Sequence, residues 1–126
     1  MYPALAGQLE TSDRIAWNSA FSQILTSAVA SEDVVALADG VRYLHWCWSQ
    51  RSADEQFVYF VEYSLGQLLG RPADRAAFCR VADDSSFAKV LDMYSHFHEK
   101  HEVVEFEREY RFSHRPNTSF ERTRGR

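Results

Sequence analysis

Histidines and glutamates crowd one stretch of this chain: His96, His98, His101, Glu102 and Glu105. On a helix, positions three and four apart are neighbours, so His98, His101, Glu102 and Glu105 share a face and His96 points elsewhere. Imidazole nitrogens and carboxylate oxygens are donors for zinc or a redox metal, and the same groups can carry protons. The spacing lacks the H-E-x-x-H pattern of a zinc helix. The face also continues the apolar one set by Phe87, Val90 and Tyr94. The plain expectation is therefore a helix end emerging from the core, with no cofactor. His98, His101, Glu102 and Glu105 are the candidates this stretch offers for a metal or acid–base site.

A second pattern is Arg108 followed six positions later by His114. Arginine can stabilise a phosphorane-like state while histidine moves a proton. This spacing resembles the R-x4–6-H motif of HEPN-type ribonucleases, which are small all-helical dimers. The resemblance covers seven residues. It implies RNA cleavage by Arg108 and His114, with the motif carried on a helix.

Beyond these, the C-terminus concentrates positive charge. Residues 108–126 hold six arginines against Glu109 and Glu121, a net +4, which leaves −8 on the rest of a chain whose formal charge is −4. An acidic body with a basic tail suits an acidic protein partner, a nucleic acid or another copy of the chain. Arginine forks match carboxylate and phosphate, and Phe112 and Phe120 lie among them. From Val104 to Phe112 apolar and charged residues alternate: Val104, Phe106, Tyr110 and Phe112 on one side, Glu105, Glu107, Glu109 and Arg111 on the other, with Arg108 breaking the apolar side. Period two predicts a strand over 103–113 that pairs with a strand of another chain. The expected contact residues are Val104, Phe106, Arg108, Tyr110, Arg111 and Phe112, then Arg115, Phe120, Arg122 and Arg124 in the tail.

The elements that position these groups are helical. Thr11, Ser12 and Asp13 offer an N-cap, and Ile15, Trp17, Phe21, Ile24, Leu25 and Val29 recur at helical spacing, predicting a helix over 13–30. Ser31, then Val34, Leu37, Val41, Leu44 and Trp48, predict a second over 32–49. Ser52 and Glu55 match a capping box, which decides for a helix over 53–69 against a strand at Phe57–Tyr63. Gly70 and Pro72 end it, and Pro72 starts a short helix over 72–81. Asp83, Asp84 and Ser85 start a fifth.

At 126 residues the chain fits one domain with its own core. No apolar run is long enough to span a membrane. Met1–Glu10 lacks the basic segment and apolar core of a secretory signal, so the Asn117-Thr118-Ser119 acceptor pattern is discounted. Cys47 and Cys79 sit in apolar helical patterns without CxxC spacing, which points to free thiols in an intracellular, reducing compartment. The expected fold is mainly α: a compact bundle of four to five amphipathic helices over 1–102, with an extended C-terminal arm and arginine-rich tail over 103–126. With no catalytic motif standing out, the expected function is non-enzymatic, an adaptor, accessory subunit or inhibitor docking onto a larger protein assembly through the arm. A small ribonuclease or metal-dependent enzyme, and a nucleic-acid-binding module, are the alternatives.

Overall fold

A computed structural model describes the backbone of residues 11–114 and the side chains of residues 16–114. These residues form six helices: α1 (Thr11–Ala30), α2 (Val34–Ser49), α3 (Gln56–Leu69), α4 (Pro72–Val81), α5 (Asp84–Tyr94) and α6 (Lys100–Ser113). The fold is mainly helical, and no strand occurs among the described residues. None of these helices is long and apolar enough to cross a membrane.

The α2 helix is central, packing against α1, α3 and α5, while α4 and α6 form a second pair that rests on α3 and α5. Leu25 of α1, Leu37, Val41 and Leu44 of α2, Phe57 of α3 and Val90 of α5 are all fully buried in one continuous core. Gly40 lets α1 and α2 approach, because a Cβ there would stand 2.6 Å from the buried Leu25 Cδ2.

Short polar devices set the helix ends. After α1, the Asp33 amide donates to Ala28 O and the Glu32 amide to Val29 O, with Glu32 at φ 56°. This is a Schellman turn with glutamate where glycine is usual. Asp33, rather than Ser31, caps α2 by accepting from the Ala36 amide at 3.0 Å. Asp83 caps α5 through the Ser86 amide at 2.8 Å, and that bond holds the Asp83 carboxyl below its usual range. The α4 helix spans the residues that Pro72 predicted.

Two further expectations are corrected. The Ser52–Glu55 capping box does not form; Glu55 makes no side-chain cap, and the Asp54 carboxylate instead accepts from the Gln56 amide at 2.9 Å. The strand expected over 103–113 is helix, so the extended arm is absent as far as Ser113 and α6 crosses the expected 102/103 boundary. Nor does α6 continue α5. Tight bonds from His96 N to Met93 O and from Phe97 N to Tyr94 O close α5, and Glu99 turns extended before α6 begins. A capping box starts the new helix: the Glu99 side chain accepts from the Glu102 backbone, and the Glu102 side chain from the Glu99 amide. The alternation misled because Phe106 and Tyr110 also lie four apart, and with Val103 they form the stripe a helix needs. A strand would also have lacked a partner for its backbone.

Candidate functional site

The inward face of α6 is a stack of aromatic rings. Phe106 meets Phe87 at 5.0 Å, Tyr94 at 4.7 Å and Phe78 at 6.2 Å between ring centroids. Tyr110 lies flat on Phe87 at 4.0 Å, and its hydroxyl donates to the Asp84 carboxylate at the start of α5. Burial, reinforced by Asp84, pushes the Tyr110 hydroxyl well above its usual range, so it stays protonated as a donor. Beside it, Arg75 of α4 holds Glu109 with two hydrogen bonds, at 2.7 and 3.3 Å. Phe106 and Tyr110 were expected at an intermolecular contact; the structure puts both in the core of their own chain.

Outward, α6 presents a different row. Val104, Arg108 and Phe112 follow at steps of four, which places them on one side of the helix. Val104 is 40% exposed and Phe112 69%. Arg108 reaches Glu105 at 3.1 Å, and Arg111 lies 3.8 Å from Glu107, both as exposed pairs along the helix. Such pairs contribute little and leave the guanidinium groups accessible. Thus Val104, Arg108, Arg111 and Phe112 share the solvent side of α6. Arg115, Phe120, Arg122 and Arg124 lie outside the described residues.

The Arg108–His114 pattern is carried on a helix, as the ribonuclease resemblance implies, but its two side chains are not brought together. Six residues turn the helix by about 240°, and Arg108 points to Glu105. His114 lies against the Tyr110 ring at 4.2 Å, and its Nε2 is 2.7 Å from the Cys79 carbonyl oxygen. A carbonyl only accepts, so Nε2 carries the proton and donates it there. That nitrogen is committed to tying the end of α6 to α4.

The histidine–glutamate cluster is also dispersed. His98 precedes α6 and pairs with Glu102 at 3.3 Å, its ring stacked on Tyr94 at 3.9 Å. His101 is exposed and lies 3.6 Å from Glu99, while Glu105 turns to Arg108. Among the described residues, no three His, Cys, Asp or Glu side chains converge to hold a metal ion. Glu102 is held ionised below its usual range, chiefly by the Glu99 amide and then by His98.

Sequence reasoning missed the Arg75–Glu109 tie and the Tyr94–His98 stack. The first joins residues 34 positions apart, with no local signal. The second had a signal in the i, i+4 spacing of Tyr94 and His98, although the helix ends between them.

Compared with known protein families, characterised proteins and solved structures, the chain matches none.

Proposed function

We propose that this chain is a non-enzymatic interaction protein that docks onto a larger protein assembly through the outer face of α6. The observation that carries this reading is the row Val104–Arg108–Phe112, with a phenylalanine 69% exposed on a helix whose other aromatics are buried. An exposed aromatic beside an arginine matches the composition of interface hot spots. The helix behind the row is rigid, anchored by the aromatic stack and by Glu109 on Arg75. A preorganised face loses little freedom on binding. The helix-in-groove mode reads positions spaced as these are, so the fitting partner offers an apolar hollow rimmed by carboxylates.

Photo-crosslinking tests this. A benzophenone amino acid at position 112, in cells that make the protein, should yield one discrete protein adduct; the same probe at Tyr59, exposed on α3, should not. No adduct from position 112, or the same adducts from both positions, contradicts the reading.

A further inference from the structure

A cleft of about 390 Å³ opens where the second half of α3 and the start of α4 meet the end of α5 and the start of α6. That volume lies in the range of pockets that hold small organic molecules. Its apolar lining comes from Leu65, Leu69 and Phe97. Gly66 shares the same side of α3, and a Cβ built there would meet nothing within 4 Å. The missing side chain is part of the room in the cleft.

Polar groups from all four helices line the same cleft: Glu62 of α3, Arg75 of α4, Tyr94 of α5 and Glu102 of α6. Tyr94 is only 6% exposed, yet it lines the cleft, and its hydroxyl makes no hydrogen bond with any described residue. Burial raises its pKa, so the hydroxyl remains neutral and can both donate and accept. The hydroxyl oxygen opens to the cleft, where a bound polar group can meet it directly. The positive charge in the cleft is already engaged, since the Nε and Nη2 atoms of Arg75 face Glu109. The negative charge is not offset to the same degree. Glu62 makes no ion pair among the described residues, and Glu102 is held as a carboxylate. Beside Glu102 stand two imidazoles, His101 and His98, the second of which is also the ring covering one face of Tyr94.

We propose that this cleft binds a small organic cation, an amine or guanidinium on an aromatic or alkyl body, with its charge between Glu62 and Glu102 and donating to the Tyr94 hydroxyl, and its apolar body against Leu65, Leu69 and Phe97. An anion of the same shape would meet two carboxylates and an arginine already paired. The site is separate from the outer face of α6, and its occupancy does not depend on docking there.

The test is a titration of the full chain with phenethylamine, followed by amide shifts in two-dimensional NMR, with 3-phenylpropionate as the isosteric anion. The amine should give saturable shifts clustered at Gly66, Tyr94 and His98, and the anion should bind at least about tenfold more weakly. Gly66→Leu fills the cleft from a helical position with open space ahead of it, so it should abolish the shifts without lowering the melting temperature. Glu62→Gln removes one charge from the rim and should weaken the amine several-fold. Absence of saturable binding at millimolar amine overturns the proposal. So does equal binding of the anion, or wild-type affinity in Gly66→Leu with the fold intact by circular dichroism.

Discussion

Glu109 of α6 accepts two hydrogen bonds from Arg75 of α4, and this pair joins the last helix to the body at a point 34 residues away in sequence. Both side chains are about a quarter to a third exposed, which leaves enough burial for the geometry to matter. Arg75→Ala or Glu109→Ala alone should cost about 1–2 kcal/mol, because each leaves a half-buried charge without its partner. The double variant should lose less than the sum of the two. Urea unfolding of all four proteins measures this, and strict additivity would show that the pair contributes nothing.

Phe106 and Phe112 stand six residues apart on one helix and should respond oppositely to truncation. Phe106 is 1% exposed among Phe78, Phe87 and Tyr94, so Phe106→Ala should cost about 3–4 kcal/mol. Phe112→Ala should change stability by less than about 0.5 kcal/mol. Had residues 103–113 been a strand, both rings would lie on the same face and respond alike. Thermal melts of the two variants separate these cases.

How far the fold could be read in advance follows from the same helix. Where the apolar stripe and a stop signal agreed, as at Pro72 for α4 and Gly70 for the end of α3, the expected bounds match the structure closely. Where a cap motif stood alone, as Ser52 with Glu55, the backbone chose Asp54 instead. Over Val104–Phe112 the period-two pattern and the helical stripe use overlapping residues, and the capping glutamates at 99 and 102 are what distinguish helix from strand. At the candidate face, Val104, Arg108, Arg111 and Phe112 were identifiable by type, but only the helix sorts them from Phe106 and Tyr110. The cleft was not legible at all, since it depends on four helices meeting and on a side chain that Gly66 lacks.

Burial pushes the thiols of Cys47 and Cys79 from 9.0 up to about 12. Between those values the unfolded chain releases protons that the native chain retains, so the native state loses stability as pH rises through that window. Below pH 9 this contribution is complete. The melting temperature should therefore fall on going from pH 9 toward pH 12, and Cys47→Ser, Cys79→Ser changes should flatten part of that slope even though they lower stability overall. Near neutral pH, both thiols should react with a thiol reagent only as fast as the protein opens. Immediate labelling of either cysteine in the native state would contradict their placement.

A chain carried into a larger protein assembly by the outer face of α6 should show that in its native size in cell extract. Sedimentation of extract from cells that make it should place the wild-type chain, 14.6 kDa alone, in a much heavier fraction that survives nuclease treatment. Arg108→Glu with Phe112→Ser should return it to the position of the free chain, with an unchanged circular dichroism spectrum. A wild-type chain that already sediments free, a heavy fraction that nuclease dissolves, or a double variant that stays in the heavy fraction would contradict the account.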